Sequence, residues 1–423
     1  MTKQKIFALA TAALGLCQAA FCQTNIEECI RLACRNYPQI KEYGLIEASR
    51  EYDIKNASLA WAPQLSISGK ASWQSVVVEM PWDIPGMELD IPHTQYGVTA
   101  DITQQIWDGG ASAVKKRLAS AQADVSSRQL EVNLYSIRSR VQNIYLGIKL
   151  IEKQLELNKL LTESLDRTRV EIEAMVENGV AYGSDLDQIK VSLLSGEQQK
   201  QALETDLNAY IKMLSLLTGH NLEGETFTDP EVDPTGTMDM EISRPELGLY
   251  DAQRQQIELK RKQLNTNISP KLNLNVQAGY ARPGLNMLSG TFDPYVLAGL
   301  KLQWNFGSLY TLNNDRRKND LEASRLDIQR KSFLMNTSIE AMEKESAMLK
   351  AAGIMEKDDE IIGLRHNIRI SAENQYKEGI IKMNDYLNLL DDEFEARLDS
   401  SIHYIQYVMA VFDLQNTLGK NNE

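Results

Sequence analysis

The stretch Val176-Glu-Asn-Gly-Val-Ala-Tyr-Gly-Ser-Asp-Leu186 interrupts a pattern that otherwise reads as one very long helix. Two glycines and a Ser-Asp pair sit where a helix interior would lose stability. The segment Tyr376-Lys-Glu-Gly-Ile-Ile-Lys-Met-Asn-Asp-Tyr386 repeats the interruption, with Gly379 and Asp385 each 200 residues beyond Gly179 and Asp185. A turn that recurs at a fixed offset points to a chain written twice.

Other landmarks recur in the same order. Asn36-Tyr-Pro-Gln-Ile40 is matched by Ser243-Arg-Pro-Glu-Leu247, and 25 residues after each proline comes another, Pro63 and Pro270. The corners Trp107-Asp-Gly-Gly110 and Trp304-Asn-Phe-Gly307 follow, and each copy closes on a glycine, Gly219 and Gly419. The copies span 23–219 and 243–423, and an acidic connector rich in Pro, Gly and Thr joins them at 220–242.

Within each copy the hydrophobic period changes. Apolar and polar residues alternate from Leu65 to Ser68, Tyr96 to Ile102, Leu272 to Tyr280 and Val296 to Trp304, which predicts strands with two unlike faces. Each copy therefore supplies one hairpin, at about 64–106 and about 271–306. Helical hairpins follow, at about 110–218 with its tip at 176–186 and at about 308–418 with its tip at 376–386. Leu134, Ile137, Val141, Ile144, Ile148, Ile151 and Leu155 recur in steps of three and four, a coiled-coil seam.

Helix lengths add a geometric constraint. Gly110 to Glu177 is 68 residues, on the order of 100 Å if wholly helical. Ser184 to Thr218 offers 35 and Pro38 to Ala62 offers 25, so one long helix matches two shorter ones placed end to end. Pro63 and Pro270 fit as helix terminators where strands begin.

Composition narrows the setting. The 423 residues are 43% apolar and carry a net charge of −13, with no basic stripe, so nucleic acid is not an expected partner. Lys3 and Lys5 precede an apolar run from Ile6 to Ala20, the form of a secretory signal at 1–22 with cleavage after Cys22. Lipidation is disfavoured, because Leu16 precedes Cys17 and Phe21 precedes Cys22 where a small residue is required. Cys29 and Cys34 point apart on a helix and are not expected to pair.

Catalysis finds little support. His93, His220, His366 and His403 are scattered, and no zinc, thiol-redox or phosphate-cradling motif occurs, so neither enzyme chemistry nor a cofactor nor a metal is expected. The acidic run from Asp391 lacks the spacing of a calcium loop. A secreted chain without a long apolar helix can still reach the outer membrane as β-strands. Four strands do not close a barrel, whereas three chains would supply twelve.

The duplicated order of helix, strand hairpin, long helix, glycine break and helix resembles the TolC-like outer-membrane factor family. So do the Asn-Tyr-Pro start, the Ala-Pro-x-Leu strand entry, the Trp-Asx-Gly corner and both Gly-x-x-x-x-x-Asp breaks. The resemblance implies a fold that is mainly α with membrane β: a long α-helical coiled-coil barrel in the periplasm, plus four β-strands per chain in a trimeric 12-stranded outer-membrane β-barrel. It further implies a passive exit duct, embedded in outer-membrane lipid. The duct would dock a periplasmic adaptor and through it an inner-membrane pump of RND or ABC type.

By position, the resemblance makes Val176, Gly179, Ser184, Asp185, Tyr376, Gly379 and Asp385 the adaptor-docking tips. It places Asp185, Asp385 and Asn388 at the pore constriction. Asn388 stands where a second gate Asp can occur, and Ile381, beside Lys382, stands where some members place a latching Arg. Plainer readings exist for the same residues. Each glycine can be a helix cap followed by an N-cap at Ser184 or Asn384, and Asp185 and Asp385 can be first-turn acids favoured by the helix dipole. Trp107 and Trp304 read as interfacial anchors at the membrane rim or as core aromatics where strand meets helix. The competing function is a secreted periplasmic coiled-coil structural or adaptor protein without a pore.

Overall fold

The computed structural model describes residues 23–77, 92–230, 232, 239–287 and 290–420. The signal segment at 1–22 and its cysteines lie outside the described residues. In the first copy the elements are β1 (Gln23–Thr24), α1 (Ile26–Asn36), a 3-10 turn (Pro38–Lys41), α2 (Glu42–Leu59), β2 (Gln64–Trp73), β3 (Thr94–Trp107), α3 (Ala111–Glu177) and α4 (Gly183–Thr218). After the short β4 (Thr226–Phe227) the second copy follows as α5 (Pro245–Asn267), β5 (Lys271–Arg282), β6 (Asp293–Gln303), α6 (Ser308–Met355), α7 (Asp358–Lys377) and α8 (Met383–Leu418).

The chain divides into two compact units. One, formed by 43–129 and 248–330, is built on a four-stranded antiparallel sheet in the order β2-β3-β5-β6. Each copy gives one hairpin, and β3 pairs with β5 across the copies. The register aligns Leu65, Ile102, Val276 and Ala298 in one row, and Ser66, Asp101, Gln277 and Leu297 in the next. Side chains alternate faces along a strand. One face therefore collects Leu65, Ile67, Val98, Ile102, Leu274, Val276, Val296, Leu300 and Leu302, while the other collects Ser66, Ser68, Thr99, Asp101, Thr103, Asn275 and Gln277. The polar face is internally bonded: Ser68 donates to Thr99 (2.8 Å), which donates to Asp101 (3.0 Å), and Gln277 Nε2 donates to the same carboxylate at 2.6 Å. Thr103 donates to Asn275 at 3.0 Å.

The helices begin where their corner residues dictate. At the Trp107 corner Asp108 is buried and accepts from the backbone N–H groups of Gly110 (2.9 Å) and Ser112 (2.6 Å), which caps α3. Asn305 accepts from Gly307 N–H at 3.0 Å in the second copy. Ion pairs Arg254–Asp327, Lys260–Glu322 and Arg261–Asp320 join α5 to α6.

The other unit, 1–42, 130–247 and 331–423, holds α1, most of α3 and α6, and all of α4, α7 and α8. The seam residues Leu134, Ile137, Val141, Ile148 and Ile151 are buried; Ile144 and Leu155 are half-buried. Arg244 lies over the rings of Tyr135 (5.3 Å) and Phe333 (5.8 Å). β1 and β4 pair in parallel, and the Tyr145 hydroxyl is shared between the carbonyls of Thr24 (2.8 Å) and Thr228 (2.7 Å). Cys29 is buried and Cys34 half-buried, both as free thiols.

Two features depart from the sequence reading. The segment 38–62 is not one helix: Pro38 opens a 3-10 turn, α2 ends at Leu59, and a separate α1 precedes it, capped by the Asn25 side chain at 2.7 Å from Glu28 N–H. The second long helix is broken at Glu356–Lys357, and α7 opens on the acids Asp358, Asp359 and Glu360, which suit the positive end of a helix.

Candidate functional site

The two glycine breaks are the same backbone motif. Gly179, at φ +75°, donates to Val176 O (3.0 Å), and Val180 N–H reaches Met175 O (2.8 Å). Gly379, at φ +72°, donates to Tyr376 O (2.8 Å), and Ile380 N–H reaches Gln375 O (2.8 Å). This is the Schellman cap, whose left-handed residue glycine alone fills without strain. The cap of the next helix in each copy lies two residues earlier than the sequence suggests. The N-caps are Tyr182 and Lys382, so Ser184 and Asn384 lie inside the first turn and cap nothing. Asp385 turns its carboxylate back to Lys382 N–H at 3.3 Å.

Both tips rest on one core. Leu165, Ile172 and Ile189 of the first hairpin pack with Ala372, Tyr376, Met383, Tyr386, Leu387 and Leu390 of the second. Tyr376 is only 9% exposed and stacks on Tyr386 with ring centroids 6.0 Å apart. Tyr376 thus belongs inside the tip rather than on its surface, and half-buried Val176 packs against the same core. Burial, with the Asp185 carboxylate nearby, pushes the Tyr376 hydroxyl up to about 12. Lys377 adds an ion pair to Glu171 of the other hairpin at 3.4 Å.

Between the tips lies a groove of about 630 Å³, walled by Tyr182, Ser184, Asp185 and Gln188 on one side and by Lys377, Gly379, Lys382 and Asn384 on the other. Three apolar side chains project beside it into solvent: Val180 (70% exposed), Tyr182 (78%) and Ile380 (66%). Sequence reasoning passed over all three. The available signal was Tyr182, an aromatic at a helix start where Ser, Asp or Asn would serve the backbone better.

The constriction candidates are not brought together. Asp185 is half-buried in the groove, whereas Asp385 and Asn388 are exposed one turn apart on α8. Their face continues through Asp391, Glu395 and Asp399, all exposed. The opposite face of α8 holds Glu393, 5% exposed at its side chain, between Arg397 (2.7 Å), Arg369 (2.8 Å) and His366 (3.0 Å). Burial alone would raise the Glu393 carboxyl, but hydrogen bonds from Arg397, Arg369 and His366 outweigh it and hold it at about 2. Nearer the α6–α7 break, buried Asp358 meets His403 at 3.0 Å. The first copy has Leu193 in place of Glu393, and its Arg169 pairs along its own helix with Asp166 and Glu173, both at 2.9 Å.

Trp107 and Trp304 lie at the same end of the sheet, half-exposed, and Trp304 Nε1 donates to Ile268 O at 3.0 Å. Among the described residues no cluster could hold a metal ion, and no helix is long and apolar enough to cross a membrane. The membrane-compatible element is the sheet.

The described residues thus form a duplicated protomer, each copy giving one strand hairpin to a two-faced four-stranded sheet and one coiled-coil hairpin. The sequence profile of the outer membrane efflux protein family matches residues 29–220, the first copy. None of the curated proteins matches the chain. Solved structures share its fold. The CmeC outer membrane channel of Campylobacter jejuni has a TM-score of 0.64 at 16% identity, covering 95% of this chain and 86% of that one. VceC of Vibrio cholerae gives 0.65 at 13%, covering 94% and 97%. The open state of the MtrE channel of Neisseria gonorrhoeae gives 0.60 at 12%, covering 94% and 90%. Residues 29–220, the first copy, carry the sequence pattern of the outer membrane efflux protein family, and the whole chain shares the fold of these solved outer membrane channels.

Proposed function

We propose that the protein is the exit duct of a tripartite efflux or type I secretion system. Three copies close their sheets into one twelve-stranded barrel, and the hairpin tips dock a periplasmic adaptor coupled to an inner-membrane pump of RND or ABC type. The observation that carries this reading is the sheet, with one face mostly apolar and the other mostly polar. Its outer strands β2 and β6 have no further strand partner among the described residues. Unpaired backbone groups in hydrocarbon cost several kcal/mol each, on the order of the whole stability of a small domain, so the edges must meet other copies.

Unpartnered helix faces support the same assembly. Leu45, Tyr52 and Leu59 of α2 are exposed at seven-residue spacing, as are Leu321, Ile328, Met335, Met342 and Leu349 along α6. Such a/d stripes bury against a neighbouring helix. The groove between the tips, lined by Gly379 and by Val180 next to Gly179, supplies the docking surface, because a glycine lets a partner's backbone approach closely. Conduction is passive, energised by the pump.

Fractionation tests the duct. Outer-membrane fractions should contain a trimer that resists dodecyl sulfate until heated. A soluble periplasmic monomer would favour the pore-free coiled-coil reading instead.

A further inference from the structure

The polar face of the sheet carries its charges unevenly. Lys70 lies in one row with Asp293, through Gly97 and Ala281, so opposite charges share that height. Asp101 stands alone near mid-sheet, held by Gln277 and Thr99. At the end where α5 and α6 adjoin the sheet, Lys301 faces Asn273 and Lys271 faces Gln303. These two lysines are diagonal neighbours on adjacent strands, about 7–8 Å apart. Both are exposed, and neither has an ion pair among the described residues. The facing residues Asn273, Gln105 and Gln303 are uncharged, so no carboxylate stands directly across from the pair at this end of the face.

We propose that Lys271 and Lys301 form a cationic girdle at the helix-side mouth of the barrel, which favours anionic solutes. The inference rests on the duct reading, since the apolar face must meet lipid and the polar face must then surround the lumen. Three copies place six ammonium groups around one opening. Rings of lysine select anions, and low-dielectric walls strengthen their field. The chain as a whole is acidic at −13, so the girdle runs against the overall charge and is local in origin. Salt weakens it: the screening length is about 10 Å at 0.1 M and about 3 Å at 1 M.

Reversal potentials in planar bilayers under a KCl gradient test the girdle. The double variant Lys271→Gln with Lys301→Gln should shift toward potassium permeability relative to wild type, and the shift should shrink in molar salt. Lys271→Arg with Lys301→Arg should keep the wild-type value, which separates charge from shape. Lys70→Gln, whose charge shares a row with Asp293, should shift the potential less. A pore whose ion preference is unchanged by the glutamine pair overturns the girdle and leaves the duct standing. Wild-type protein that forms no pore overturns both.

Discussion

Tyr182 occupies a position that its own helix gives no reason to favour. It caps nothing, and a Ser or Asp there would add about 1 kcal/mol to the helix start. The ring is 78% exposed, and on the proposed docking surface its use would lie with a partner. Tyr182→Ala should leave the unfolding temperature of the trimer unchanged while weakening adaptor binding in pull-down or interferometry. A lowered melting temperature with intact binding would assign the residue to folding. The tip glycines act differently. Gly179 and Gly379 hold left-handed backbone with open space where a Cβ would stand. Alanine there costs about 1–2 kcal/mol through the backbone, whereas a bulky side chain also fills the approach. Gly179→Phe and Gly379→Phe should abolish docking with the trimer still assembled; export that persists in both would remove the glycines from the docking surface.

At the scale of elements, the two helical hairpins are built unequally. The second is tied internally by Glu393, which takes three cationic or imidazole partners from α7 and from α8 itself, and by Asp358 with His403. The Glu393 carboxyl falls from 4.5 to about 2 on folding, a contribution on the order of 3 kcal/mol. Because the folded value is depressed, that stability is fully present above about 4.5 and is lost as pH falls toward 2. Glu393→Gln should therefore lower stability at pH 7 and flatten the loss between those limits, as read by circular dichroism during acid titration. An unchanged acid profile would show that the hairpin is held by packing alone.

Elements were legible wherever one face met one environment. Period two gave the strands and their faces because successive side chains point to opposite sides of a sheet, and Pro63 and Pro270 marked the strand entries. The N-caps were not legible, since Tyr182 and Lys382 are poor capping residues and Ser184 and Asn384 look better. The break at Glu356–Lys357 carries no proline or glycine of its own. The Glu393 cluster joins positions 24 and 27 residues apart, which no local pattern connects.

On the scale of the whole molecule, duplication makes the fold readable, because each landmark is tested by its copy. The same duplication hid the differences: Glu393 replaces Leu193, and Lys382 replaces Tyr182, at positions 200 apart. Two equivalent turns thus present different chemistry around one groove, an aromatic ring on one wall and an ammonium on the other. The buried place of Tyr376 was missed for a related reason. Its position in the tip is set by the neighbouring hairpin, through Ile172 and Ile189, and not by its own helix.

The pairing of β1 with β4 joins Gln23 to Thr226 and Thr24 to Phe227, across some 200 residues. A chain made amino end first holds Gln23 and Thr24 without this partner until the connector is made, and the Tyr145 hydroxyl then bridges both strands. The first copy cannot reach its finished form from its own sequence alone, because β1 pairs with residues of the connector. Its completion waits on the connector, so the fold carries a built-in order of maturation: the start of the first copy is secured to the connector just before the second copy is made.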